Sequence, residues 1–224
     1  MTRAVVAVFF DLYGTLLYLT PLAVACERVA PGRGEPFARA WRAEQLRLTW
    51  LRTIMGAWGD FETVTADALA WTARAMGTPV DDAWHELADA FDELPVRPEA
   101  RSTLDELGEA GLTLGVLSNG SAGMLARALG KAGIEDVFQY VLSADDVRRY
   151  KPHPSVYALA VDATGLAGAS IGFVTANDWD AAGASAFGLR VAWLRPEGQV
   201  EPPRVAAPEP AVATWEQLPA FFLR

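Results

Sequence analysis

The 224-residue chain predicts an α/β fold, a doubly wound, Rossmann-like parallel sheet with an inserted helical cap. Three observations carry that expectation. An apolar, β-branched and aromatic run from Ala4 to Phe10 stops at a carboxylate and then a glycine, in Asp11-Leu12-Tyr13-Gly14. A buried parallel strand does this on reaching the carboxyl edge of its sheet. Residues 18–96 then lose strand character and read as helical, and after Pro98 short apolar runs alternate with helical stretches.

Each element has its own signal. Trp41, Leu46, Leu48, Trp50, Leu51 and Ile54 recur at near-helical spacing among Arg39, Arg42, Glu44, Arg47 and Arg52. Ala66–Met76 and Ala83–Leu94 read as two further amphipathic helices, ended near Gly77-Thr78-Pro79 and Pro95. A helix over Glu99–Ala110 closes at Gly111, and Leu112–Leu117 is a strand ending at Ser118-Asn119-Gly120. Residues 121–132 are helical up to Gly133, and Tyr140–Ser143 is a short strand. Pro154–Thr164 is a helix, Ile171–Val174 a strand ending at Thr175-Ala176-Asn177, and 179–187 a helix closed by Gly188. Arg190–Leu194 makes a last strand, followed by a Pro-rich surface stretch from Pro196 to Pro210. Strand alternating with helix implies right-handed crossovers and one parallel sheet. The expected division is therefore a core of residues 1–17 and 97–224 and a cap of residues 18–96.

Composition narrows the function. Hydrophobic residues at 51% and charged residues at 21% describe a folded globule, and 224 residues can bury one sizeable core. A net charge of −9 argues against sequence-independent nucleic-acid binding, which needs clustered Lys and Arg. A single cysteine, Cys26, excludes an internal disulfide and suits a reducing compartment. Arg3 and the segment Leu22–Cys26 imitate an export signal, but Asp11 and Gly14-Thr15 interrupt the apolar stretch between them. No membrane span is expected, and the compartment expected is the cytoplasm.

Three strands end in polar groups: Asp11, Ser118-Asn119, and Thr175-Ala176-Asn177, while Lys151 stands between Tyr150 and Pro152 just before a helix. In a parallel sheet these ends share one edge, so a carboxylate, an amine, two amides and two hydroxyls can converge there. Taken singly, Asp11 reads as a turn former, Ser-Asn-Gly as a turn and Lys151 as a solvated lysine. Their joint placement is the signal.

In order and wording, Asp-Leu-Tyr-Gly-Thr-Leu, Leu-Ser-Asn-Gly, Tyr-Lys-Pro and Asn177-x-Trp179-Asp180 with Gly183 resemble the haloacid dehalogenase superfamily. Pro31-Gly32-Arg33-Gly34, Trp41-Arg42-x-x-Gln45-Leu46 and Thr49-Trp50-Leu51-Arg52 are similar to the cap of its (S)-2-haloacid dehalogenases. The resemblance covers nearly the whole chain and implies hydrolysis of short 2-haloalkanoates to (R)-2-hydroxy acids and halide through an aspartyl ester. It implies no cofactor and no metal, with the haloacid and halide as small-molecule partners. A homodimer also fits the resemblance and the aromatic-rich cap.

The resemblance assigns residue roles as well. Asp11 is the nucleophile, and Lys151 keeps its carboxylate ionised, a cation a few ångströms away opposing the effect of burial. Arg42 and Asn119 hold the halide, and Ser118 with nearby backbone N–H groups holds the substrate carboxylate. Thr175, Asn177 and Asp180 position water and Lys151. Thr15 orients Asp11, and Tyr157 lines the halide side, a buried core tyrosine being the alternative there. Tyr13, Leu46, Phe61 and Trp179 form an apolar wall for the alkyl part. Thr175 stands where the subgroup usually has Ser, and Asp178 adds a carboxylate near Asp180. His85 and His153 lack partners for a histidine mechanism, and Cys26 reads as packing.

Two other functions remain open from sequence. A Mg²⁺-dependent phosphatase of the same superfamily would have Asp at position 13 and an acid at 176; this chain has Tyr13 and Ala176. A binding module that keeps the pocket without turnover is the other.

Overall fold

A computed structural model of the chain describes residues 4–79, 84–195 and 214–223. The Pro196–Pro210 stretch and the side chain of His85 lie outside the described residues.

Five parallel strands form one sheet: β1 (Ala7–Phe10), β2 (Thr113–Ser118), β3 (Tyr140–Ser143), β4 (Ile171–Thr175) and β5 (Arg190–Trp193), in the order β3-β2-β1-β4-β5. The chain starts in the middle of the sheet and winds outward both ways. This reversal of strand order sits beside β1, where open α/β sheets leave a crevice at their carboxyl edge. All four residues of β1 are buried, so both faces need apolar side chains, which explains its unbroken run. In register, Phe10 lies between Val116 of β2 and Val174 of β4, and Asp11 N–H extends the ladder to Val174 O at 2.9 Å.

The helices of the core are α5 (Pro98–Glu109), α6 (Ala122–Ala132), α7 (Pro154–Thr164), α8 (Asp178–Phe187) and the short α9 (Leu218–Phe222). Before them come the four inserted helices α1 (Thr20–Val29), α2 (Gly34–Met55), α3 (Phe61–Met76) and α4 (Trp84–Asp92). Entry and exit of the insertion run side by side. Leu17 bridges Val96, Tyr18 N–H donates to Pro95 O, and Arg97 N–H donates to Leu16 O. The cap thus springs from two adjacent strands of chain at the end of β1.

Helix boundaries follow the expected punctuation. Gly56, Gly77, Gly133, Gly165 and Gly188 close their helices with positive φ, where a Cβ would be strained. Asp60 and Ser121 cap α3 and α6 by accepting from Thr63 N–H and Met124 N–H. His153 caps α7 through Ser155 N–H, which gives this histidine a structural task.

Two sequence expectations change. The buried stripe of α2 is Phe37, Trp41, Glu44, Gln45 and Thr49, while Ile54 is 81% exposed. A 3.6-residue repeat set by Phe37 and Trp41 passes through 45 and 48–49 and leaves Ile54 outside. The chain end also contributes to the core, which sequence did not suggest. Trp215 stacks on Phe10 with ring centroids 6.2 Å apart, and Phe222 packs over Gly172 of β4.

An ideal Cβ on Gly172 would lie 2.6 Å from the Phe222 ring. Gly172→Val should therefore displace α9 and destabilise by about 1–3 kcal/mol, seen in thermal unfolding as a Tm lower by about 3–10 °C. An unchanged Tm would mean that α9 does not rest on β4.

Candidate active site

β1, β2 and β4 end together at Asp11, Ser118 and Thr175, as the alternation of elements required. Asp11 is nearly buried, and its loop turns back on it immediately. Gly14 takes φ +89°, and Thr15 N–H and Leu17 N–H both donate to Leu12 O. That coil returns Thr15 Oγ1 to within 2.8 Å of Asp11 Oδ2, and Asn177 Nδ2 donates to the same oxygen at 2.9 Å. Thr15 Oγ1 also accepts from Ala176 N–H at 3.0 Å, which locks the loop after β1 to the loop after β4.

The other oxygen, Asp11 Oδ1, faces Lys151 Nζ at 3.1 Å. Lys151 is wholly buried, and its ammonium donates again to Asp180 Oδ2 at 3.0 Å. It also lies 4.7 Å from the centroid of the Phe173 ring, a cation–π contact from the middle of β4. Burying an unpaired ammonium costs several kcal/mol, so this lysine depends on its two carboxylates. Lys151 N–H donates to Asn119 Oδ1 at 2.8 Å, tying the end of β2 to the lysine's backbone.

Asp180 is wholly buried and accepts from Tyr157 hydroxyl at 2.7 Å on the oxygen that Lys151 leaves. Burial pushes its carboxyl up to about 6; the Lys151 charge opposes this, and Asp11 adds to it. Burial first, and then the Asp180 charge, also push the Tyr157 hydroxyl up, so it stays a donor. Tyr157 is fully buried behind Asp180, against Phe173 and Phe187, as the core-tyrosine alternative expected.

The remaining residues surround this cluster. Thr175 Oγ1 accepts from Asn177 N–H, which shapes the turn that delivers Asn177. Asp178, the extra acid, is exposed and makes no bond to Lys151, whose ammonium donates to Asp11 and Asp180. Ser118 is buried and its Oγ accepts from Gly120 N–H at 3.1 Å. Arg42 is half-buried on α2; burial pushes its guanidinium down, and the charge of Asp11, the next influence, pushes it up. Tyr13 and Phe61 stack with centroids 6.2 Å apart. Leu46 stays half-buried beside Gln45, and Trp179 half-buried beside Asp180, edge-on to Trp50 at 5.8 Å.

Several residues that serve the site had no role in the sequence reading. Arg42 Nη1 donates to Gln45 Oε1, Gln45 Nε2 to Thr65 Oγ1, and Thr65 to Phe61 O, a relay that fixes the arginine from α3. The i, i+3 spacing of Arg42 and Gln45 on one helix was the available signal. Arg97 Nε donates to Thr15 O at 2.9 Å and holds the loop after β1. Tyr150 joins cap and core, its N–H donating to Thr53 and its hydroxyl to Gly59 O. No local pattern marks these last two, whose partners are 82 to 97 residues away.

With that geometry in view, comparison with known proteins is decisive. The haloacid dehalogenase-like hydrolase family matches residues 5–188. The chain belongs to this family. An (S)-2-haloacid dehalogenase of Xanthobacter autotrophicus is 42% identical over 187 residues, covering 83% of this chain and 73% of that one. The crystal structure of the L-2-haloacid dehalogenase RSc1362 superposes with a TM-score of 0.95 at 36% identity, covering 99% of this chain and all of the other. That of the X. autotrophicus L-2-haloacid dehalogenase with chloropropionic acid covalently bound gives 0.88 at 36% identity, over 96% and 97% of the two chains. Within the family, the chain is therefore most at home among relatives bearing the 2-haloacid dehalogenase name.

Asp180 supplies a pH test. The folded chain takes its proton near pH 6, whereas an unfolded aspartate waits until about pH 4. Between those values the native state binds more protons, so this residue's contribution to stability rises as pH falls through 6. Lowering the pH from about 7.5 to about 5 should raise the urea midpoint of the wild type relative to Asp180→Asn. Parallel pH dependences for the two proteins would contradict that protonation.

Proposed function

We propose that this chain hydrolyses short (S)-2-haloalkanoates to (R)-2-hydroxy acids and halide, with Asp11 as nucleophile. The observation that carries the reading is the bonding of Asp11, one oxygen facing a buried ammonium and the other held by two neutral donors. Relatives with covalently bound chloropropionic acid and the (S)-2-haloacid dehalogenase name support the substrate class.

In the first step Asp11 Oδ1, which has only the Lys151 contact, attacks C2 opposite the halogen. The new C–O bond forms as the carbon–halogen bond breaks, and the halide leaves with the electron pair. Arg42 and Asn119 receive the charge that grows on it; with Asn119 Oδ1 taken by Lys151 N–H, its amide nitrogen is the end available to an anion. Ser118 holds the substrate carboxylate, and Tyr13, Leu46, Phe61 and Trp179 enclose the alkyl part. One displacement at C2 inverts the configuration.

Oδ2 is then the ester carbonyl oxygen, already facing Thr15 Oγ1 and Asn177 Nδ2. When water adds to Cγ, negative charge develops there, and those donors serve it without rearranging. Asp180 takes the proton from water, with Thr175 shaping the Asn177 turn and Tyr157 fixing the base. Collapse breaks the Cγ–Oδ1 bond; the departing alkoxide takes the proton held by Asp180 and leaves as the hydroxy acid. The remaining proton of the added hydroxyl passes to solvent, restoring the Asp11 carboxylate.

A Mg²⁺-dependent phosphatase does not suit the donor set. Tyr13 and Ala176 supply no carboxylate where such a site needs one. The Lys151 ammonium supplies the positive charge between the two acids, and we propose a metal-independent reaction. On the same footing we place the core at 1–17 and 97–224, the cap at 18–96, and the chain in the cytoplasm as a homodimer. Among the described residues no helix is long and apolar enough to cross a membrane.

Halide release from the two enantiomers of 2-chloropropionate tests the reading. The (S) form should give (R)-lactate with chelator present, the (R) form nothing, and Asp11→Asn should lose at least about 10⁴-fold in turnover. Activity abolished by chelator and restored by Mg²⁺, or product of retained configuration, would overturn it.

A further inference from the structure

Arg127 of α6 reaches across the seam between core and cap. Its Nε donates to Asp92 Oδ2 on α4 and its Nη2 to Glu62 Oε1 on α3, both at 2.6 Å. Each of those acids directly follows an aromatic residue that packs on Tyr13. Phe61 stacks on the Tyr13 ring at 6.2 Å, and Phe91 meets it edge-on at 5.8 Å. A single guanidinium therefore grips the two helix positions that set the aromatic surround of Tyr13, two residues past the nucleophile.

Two buried polar atoms lie unpartnered at this junction, the Tyr13 hydroxyl and Asp92 Oδ1. Tyr13 is 3% exposed and Asp92 7% exposed. The Asp92 charge is the second influence, after burial, that pushes the Tyr13 hydroxyl up, so the two groups lie within electrostatic reach. One is a donor and the other an acceptor, each carrying a desolvation penalty that a bond between them would remove.

We propose that Arg127 is a positioning residue for the substrate pocket: it holds Phe61 and Phe91 against Tyr13 through Glu62 and Asp92, and the Tyr13 hydroxyl closes onto Asp92 Oδ1. The proposal rests on the dehalogenase reading for its substrate, and not for the hydrogen bond. The exposed Arg127–Glu62 limb is screened by solvent, so the Asp92 limb dominates. Removing Arg127 leaves a buried carboxylate without its cation, and the aromatic wall loosens. The reaction at Asp11 is untouched, so what changes is the grip on the alkyl group.

Arg127→Gln, Arg127→Lys and Glu62→Gln should be compared on chloroacetate, which has no alkyl group at C2, and on (S)-2-chlorobutyrate. Arg127→Gln should raise KM for chlorobutyrate about five- to tenfold more than for chloroacetate, with kcat within about threefold, because only uniform binding is lost. Arg127→Lys should recover part of the discrimination, and Glu62→Gln should cost little. Equal KM changes on both substrates, or none, would overturn the positioning role. A urea-unfolding cycle of Tyr13→Phe, Asp92→Ala and the double variant reads the hydrogen bond without substrate. A double variant less destabilised than the sum of the singles supports the bond, and additivity overturns it. Should the wild type release no halide from any haloacid, the dehalogenase reading and the pocket role fail together, while the cycle still decides the bond.

Discussion

A single buried ammonium governs this site. Lys151 has no access to water, and its charge is met by Asp11 on one side and Asp180 on the other. Burial is what raises the protonation point of Asp180; the Lys151 charge opposes it, and the second carboxylate, Asp11, adds to it. Breaking a buried pair of this kind typically costs about 3–5 kcal/mol, so lysine and acids hold each other in place. That constraint also divides the chemical labour. The acid with one open oxygen can strike carbon, and the acid backed by Tyr157 can handle the proton.

The sheet exists, for this site, to hold that triad. The end of β1 brings Asp11, the turn after β4 brings Asn177, the first turn of α8 brings Asp180, and Asn119 at the end of β2 grips the backbone of Lys151. These segments leave adjacent strands of one sheet, so strand register sets the separations. The cap is joined to this frame by bonds of a different sort, through Tyr150 to Thr53 and Gly59, and through Arg127 to Glu62 and Asp92. In the proposed reaction the reacting acids thus lie on the sheet frame, and Arg42, Leu46 and Phe61 reach the site from an element tethered at its base by Leu17 and Val96.

Much of this was legible in the chain. Apolar runs ending in Asp11, Ser118 and Thr175 announced the shared sheet edge, because burial on both faces leaves no other reading for such strands. Lys151 was the harder inference, since a lysine before a proline is ordinarily solvated, and only its company pointed inward. Residues that act through distant partners were not legible. Arg97, Arg127, Trp215 and Phe222 carry no local pattern, and their roles come from partners far along the chain. The bond from Tyr157 to Asp180 was not legible either, because helical spacing tells which face is buried and not which acid it meets. Ile54 shows the same limit, an apolar residue at plausible spacing that the true stripe of α2 leaves exposed.

The central claim is covalent attack by Asp11, and single-turnover hydrolysis in ¹⁸O-water with enzyme in excess over (S)-2-chloropropionate tests it most directly. Mass spectrometry of the peptide carrying Asp11 should show one heavy oxygen in that side chain, while the released lactate stays unlabelled. Label in the lactate with none on Asp11 would mean that water attacks carbon directly, and the account would be wrong.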